Sequence, residues 1–152
     1  MATRKNPYMQ RFRQTAIQRF EDARVLLRAG RTTGAMYLAG YSVECILKAL
    51  LLSALSEPES VVMVKYFRGT IGHDYGMVKS FRGTIGHDYG WLRDQYLMSG
   101  GAASPKEISR AFVLVGAWST DIRYEPGAKP AKIAGDFLAE TERIIEWAEG
   151  RL

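Results

Sequence analysis

One stretch of the chain constrains its fold more than any other. Across residues 33–55, Ala35, Leu38, Ala39, Val43, Ile46, Leu47, Leu50 and Leu51 recur at steps of three and four. That is the period of an α-helix, and the residues cover a broad face rather than a narrow stripe. A helix this apolar must be surrounded, so the other segments are expected to pack around it. Gly34, Ala35, Ala39 and Gly40 are small and permit close approach of a neighbour. Thr32 or Thr33 is expected to cap this helix, and Ser56-Glu57-Pro58 to stop it. Its most apolar part, 46–52, is too short to span a bilayer.

Further helices are legible on either side. The first is expected over 7–29, with Pro7 at the first helical position and Asn6 as the cap. Phe12, Ala16, Phe20, Ala23 and Leu27 form its apolar face, and Gly30 ends it. A short helix starts near Asp88 and carries Trp91, Leu92, Gln95 and Tyr96. Ser104 followed by Pro105 reads as a cap and first helical residue, opening a helix to about Asp121. The last helix covers about 130–149, with Ile133, Phe137, Ile144 and Ala148 on one face. The run 61–64 is the one β candidate, too isolated to build a sheet. The expected fold is all-α: a single domain, an antiparallel bundle of four to five helices.

Composition narrows the setting. In 152 residues there is one cysteine, Cys45, so no internal disulfide exists and a reducing compartment fits. Cys45 lies in an apolar run without a base beside it, where a buried, unreactive thiol is expected. The basic, polar start has no apolar leader core, so a cytoplasmic protein with no membrane association is expected. Net charge is +5 and uneven: eight of the first 31 residues are Arg or Lys, against Glu21 and Asp22 alone. Such a segment attracts phosphate, although it also serves as a solvated face.

Residues 64–91 are a tandem duplication. VKYFRGTIGHDYGM (64–77) precedes VKSFRGTIGHDYGW (78–91), with twelve of fourteen positions identical. Three glycines per copy suit a loop-rich insert, and loops accept added length at small entropic cost. Two copies of this period do not make a solenoid.

Several stretches resemble the HEPN domain family of small helical bundles. They are AGYSVECILKALL (39–51), GHDYGWL (86–92) with Tyr89 where the family usually has Leu, WSTDIRYEPG (118–127), and the closing AGDFLAETERIIEWAEGRL. The resemblance implies a four-to-five-helix bundle, commonly a homodimer. Some members are metal-independent ribonucleases of toxin–antitoxin and phage-defence systems. Others are non-catalytic and act beside a small nucleotidyltransferase, or bind nucleotide or RNA.

The ribonuclease members carry Arg, four to six intervening residues, and then His, near the start of the last conserved helix. The imidazole moves the ribose 2′-hydroxyl proton and the guanidinium holds the phosphate as charge develops. In this chain the spacing occurs as Arg68…His73 and Arg82…His87, which use both of its histidines. These pairs lie in the repeat rather than at the family's catalytic position. There stand Arg123 and Tyr124, with no His in the next six residues. Arg82 and His87 are therefore the catalytic candidates, while Asp88 has a simpler role as a helix cap. Arg123, Tyr124, Glu44 and Lys48 are the candidate nucleotide- or phosphate-binding residues. Arg123 has two readings: a buried structural pair with Glu44, or a phosphate contact in a dimer cleft. Tyr37, Tyr41, Trp91, Trp118 and Trp147 fit core or dimer interface better than base stacking. No metal and no cofactor are expected, because the His-Asp pairs of the repeat match no ligand spacing. The motifs lean toward a non-catalytic module that homodimerises and binds nucleotide, RNA or a partner such as a nucleotidyltransferase. A toxin or defence ribonuclease is the alternative.

Overall fold

A computed structural model of the chain describes residues 6–67, 88–116 and 126–152. These residues form six helices: α1 (Pro7–Arg28), α2 (Thr32–Ser53), α3 (Glu57–Phe67), α4 (Tyr89–Met98), α5 (Lys106–Val115) and α6 (Ala131–Glu149). Among the described residues there is no strand.

α2 is the central element. Fifteen of its residues are buried, and Ile46, Leu47, Leu50, Leu51 and Leu52 are almost fully enclosed. By length and hydropathy it is the one described helix long and apolar enough to cross a membrane; 83% of that window is buried inside the bundle. α1 makes the broadest contact with it, and α4 and α6 pack on other sides. Close approach of α1 uses a small residue, as expected. A Cβ on Gly34 would meet Leu26 Cδ1 at 3.3 Å.

The helix ends explain how the bundle closes. Asn6 Oδ1 accepts from Tyr8 N at 3.0 Å and from Met9 N at 3.4 Å, capping α1. Its amide donates to Ser60 Oγ at 2.6 Å and to the Leu52 carbonyl at 3.4 Å. One side chain thus holds the start of α1 against the end of α2 and the first turns of α3. At the other end of α1, Gly30 adopts φ +74°. Gly30 N donates to Leu27 O and Arg31 N to Leu26 O, which satisfies carbonyls that the helix end leaves free.

The cap expected on α2 is not formed. Arg31 occupies that position without a side-chain hydrogen bond. Instead Thr32 Oγ1 donates to the Lys129 carbonyl at 2.7 Å and Thr33 Oγ1 to the Gly127 carbonyl at 3.0 Å. Both hydroxyls serve a long-range tie that sets the start of α6 beside the start of α2. Gly127, at φ +86°, supplies the left-handed residue of that turn. α6 therefore runs parallel to α2 and antiparallel to α1. Arg13 of α1 meets Glu149 near the end of α6 at 2.8 Å.

Three other sequence expectations change. Residues 57–67 form α3, so 61–64 is helical rather than a strand candidate. The start is a reciprocal cap: Glu59 N donates to Ser56 Oγ at 3.3 Å, and Ser56 N donates to Glu59 Oε2 at 2.8 Å. Pro58 sits in the first turn, where its missing N–H costs nothing. At α5, Pro105 is the cap residue, and Ser104 Oγ instead shares a hydrogen bond with Ser109 Oγ at 2.9 Å. On α6, Ile133 is 52% exposed. The buried stripe is Ala134, Phe137, Leu138, Thr141, Ile144, Ile145 and Ala148, one residue round the helix from Ile133.

α5 and α6 join through aromatic contacts. Phe112 meets Trp147 edge to face at 6.2 Å. The Arg93 guanidinium lies 4.1 Å from the Phe112 ring centre, and that of Arg151 lies 5.2 Å from the Trp147 ring. The duplication relates simply to these elements. α3 finishes on Val64 and Phe67 of the first copy, while the Asp88 cap of α4 belongs to the second.

Candidate functional site

Along α2, Tyr37, Tyr41, Glu44 and Lys48 follow one another at steps of four, three and four, which places them on one face. This is the polar seam of an otherwise apolar helix. Tyr37 and Tyr41 stand edge to face with ring centres 4.9 Å apart, and the Tyr37 hydroxyl donates to that of Tyr41 at 3.0 Å. Both are half-buried. Further along the seam, burial becomes nearly complete.

Glu44 and Lys48 form an ion pair there. Lys48 Nζ donates to Glu44 Oε1 at 2.6 Å, with side chains only 7% and 3% exposed respectively. Two charges removed from water need each other and a supporting environment. Part of it is aromatic. The Lys48 ammonium lies 5.1 Å from the Phe67 ring centre and 5.6 Å from that of Phe12. Those rings meet edge to face at 5.6 Å. The lysine thus ties together α1, α2 and α3.

α4 begins against the same seam. Asp88 Oδ1 accepts from Trp91 N at 2.9 Å, the expected cap. The next residue, Tyr89, donates its hydroxyl hydrogen to the Gly40 carbonyl at 2.5 Å. Burial, with Glu44 and Cys45 nearby, pushes the Tyr89 phenol well above its ordinary range, so it stays protonated and remains a donor. Burial first, and Glu44 second, raise the Cys45 thiol to about 11. At neutral pH it is a buried thiol rather than a nucleophile.

The structure therefore brings together Glu44 and Lys48, with Tyr89 close to Glu44. Arg82, His87, Arg123 and Tyr124, together with Arg68, His73 and Trp118, lie outside the described residues. His87 immediately precedes the Asp88 cap in the chain. The sequence carries no signal for the aromatic partners of Lys48, since Phe12 reads only as part of an apolar stripe and Phe67 as part of the repeat. The spacing of Tyr37, Tyr41, Glu44 and Lys48 was the available signal for the seam. Among the described residues, no group of three or more His, Cys, Asp and Glu is placed to hold a metal ion.

A helical bundle around one apolar helix with a polar seam defines a class of small α-helical modules. Within that class, the HEPN domain model matches residues 9–151, nearly the whole chain. The chain belongs to the HEPN domain family, which makes it a nucleotide- or RNA-related module in general terms. It matches no curated protein and no solved structure.

Proposed function

We propose that this chain is a non-catalytic HEPN module of the cytoplasm that forms a homodimer and binds a nucleotide, an RNA or a partner protein such as a small nucleotidyltransferase. The observation that carries this reading is at Arg123. The seven residues that follow it, Tyr124 to Pro130, contain no histidine, so the imidazole of the family's ribonuclease pair is missing there. A guanidinium without its imidazole holds phosphate but has no group to move the 2′-hydroxyl proton. Arg123 and Tyr124 would supply the phosphate contact. Glu44 and Lys48 would serve as its support. Their charges already satisfy one another at 2.6 Å, which suits a positioning role better than proton transfer.

The homodimer draws support from the surface. Leu97, Met98, Val113 and Leu114 at the ends of α4 and α5 are all large, apolar and exposed, with Met98 at 80% and Val113 at 78%. A second copy is the partner that the family resemblance implies.

A ribonuclease of a toxin–antitoxin or phage-defence system is the second reading, with Arg82 and His87 as the pair. What favours it is the anchoring of the residues just after His87. Asp88 caps α4 and Tyr89 is held on α2, close to Glu44.

The test is cleavage of a mixed RNA pool by purified protein in EDTA, beside His87→Ala and Arg123→Ala, with the mass in solution measured in parallel. Binding without cleavage, by a dimer, is the expected outcome. Cleavage that His87→Ala abolishes would establish the second reading, and a monomer at all concentrations would remove the dimer.

A further inference from the structure

Exposed apolar side chains are unevenly spread over the bundle. Eight large ones stand exposed among the described residues, and four of them, Leu97, Met98, Val113 and Leu114, belong to α4 and α5. Met98 and Val113 are the two most exposed, at 80% and 78%. Each helix also has an apolar inner side. Leu92 and Tyr96 of α4, and Ile108, Ala111, Phe112 and Val115 of α5, are buried in the bundle. A helix that is apolar on both sides is one that is covered on both. The two helices adjoin. Residues 99–105 join them, and Arg93 of α4 lies 4.1 Å from the Phe112 ring centre of α5 and donates to Ser104 Oγ at 3.4 Å. Trp91 is half-buried on α4. Trp, Arg and Met are the side chains that the centres of protein–protein contacts favour.

The charges on these helices decide what kind of partner fits. Asp94, Lys106, Glu107 and Arg110 are exposed and Arg93 is half-buried. None of the five forms an ion pair in the described structure, whereas α1 and α6 pair Arg13 with Glu149 and Arg24 with Glu142. Three positive and two negative charges leave this surface nearly neutral, unlike the basic first 31 residues. It has no strong field to draw a polyanion. Because it holds both signs, it complements itself when a second copy is turned about a two-fold axis. We infer that the outer face of α4 and α5 is the contact between two copies of this chain about a two-fold axis, with Leu97, Met98, Val113 and Leu114 at its centre and the five charges at its rim. The inference rests on the homodimer of the proposed function, and gives it a surface and a symmetry.

The test is sedimentation equilibrium of the full chain over a range of concentrations, with wild type beside Met98→Asp, Val113→Asp, Asp94→Lys and Val25→Asp. Val25 is the control, an apolar side chain 55% exposed on α1. All four positions are exposed, and an unchanged helical signal with cooperative thermal unfolding will show that every form folds. Wild type is expected to reach the mass of a dimer and stop there. A two-fold contact holds each substitution twice, so Met98→Asp and Val113→Asp are expected to weaken the dimer at least ~100-fold. Asp94→Lys leaves four positive charges against Glu107, and is expected to weaken it at least ~10-fold at low salt, with added salt restoring part of the loss. Val25→Asp is expected to match wild type. A dimer that both apolar-to-Asp variants of this face leave intact would show that the face is wrong while the dimer stands. A mass that climbs past the dimer would replace the two-fold axis with a head-to-tail contact. Equal loss in Val25→Asp would mean unspecific apolar association. Wild-type affinity in Asp94→Lys would remove the charge matching that selects a second copy. A wild-type monomer at all concentrations would overturn both this inference and the homodimer beneath it.

Discussion

Glu44 and Lys48 invite a double-mutant cycle, because the protein carries its own control. Lys48 pairs with Glu44 at 2.6 Å and Lys132 with Asp136 at 2.9 Å, both one helical turn apart in sequence. The geometries are alike, but the first pair is 7% and 3% exposed and the second 86% and 67%. Two unit charges at that shorter distance attract by about 6 kcal/mol at an effective dielectric near 20. Desolvation takes back much of this. What survives is measurable as coupling, which for residues in contact reaches about 0.5–3 kcal/mol. The buried pair should fall in the upper part, at about 2–3 kcal/mol. Glu44→Gln keeps shape and removes charge. Lys48→Met keeps length and sets a thioether against Phe12 and Phe67. Each single variant should lose roughly 3 kcal/mol, since it leaves the other charge in the core without this contact. In a chain of this size that lowers the thermal midpoint by roughly 6–12 °C. The double variant should recover the coupling energy. Urea unfolding followed by circular dichroism, with a constant m-value, supplies all four corners. The matching cycle of Lys132→Met and Asp136→Asn should show no resolvable coupling. Equal coupling in the two cycles would refute the argument that burial strengthens the Glu44–Lys48 contact.

Three other outcomes are expected. Tyr89→Phe removes the donor to the Gly40 carbonyl and should cost about 1 kcal/mol in urea unfolding; full wild-type stability would mean that the hydroxyl does not anchor α4. Native Cys45 should resist a thiol reagent at pH 8 and react once urea unfolds the chain, since its pKa is raised to about 11. The sign of that shift means that keeping the thiol protonated adds stability below about pH 9, which fades as pH climbs through the raised value; rapid native labelling would contradict the burial. Deletion of residues 64–77 should leave the thermal midpoint within a few degrees of wild type, because Val78 and Phe81 can replace Val64 and Phe67 at the end of α3.

Much of the fold was legible because its signals are local. Asn6 and Pro7, Gly30, Asp88 and the apolar spacing of α2 each specify structure within a few residues. Elsewhere, longer-range or competing signals decide the structure. Thr32 and Thr33 look like caps, but the carbonyls that they serve are nearly a hundred positions away in the chain. Pro58 reads as a stop and Val61, Val62 and Val64 as strand formers. Yet Ser56 and Glu59 form a capping box, and that local hydrogen bonding opens a helix instead. That signal was present in the sequence and outweighed the β-branched run. Ile133 reads as core because it stands four positions before Phe137. Its neighbours at 134, 137, 138 and 141 define the buried side, and it lies off that side. Of the candidate site residues, Glu44 and Lys48 could be followed into the structure, while Arg82, His87, Arg123 and Tyr124 lie outside the described residues. The aromatic cage of Lys48 draws on α1 and α3 together, and no spacing within one segment encodes that.

The placement of the duplicated segment bears on how such a chain can lengthen. The repeat unit begins in the last turn of α3 and finishes in the first turn of α4, so each copy carries the closing residues of one helix and the opening residues of the next. Copying that unit in tandem leaves both helix ends with sequence already suited to them. The novel junction is the peptide bond between Met77 and Val78. An insertion of arbitrary sequence has to be compatible with two boundaries at once, whereas this one inherits both. Evolution can therefore add length at this crossing in a single event without a repair mutation, and later changes, such as Tyr66 against Ser80 and Met77 against Trp91, can drift apart from a state that already folds.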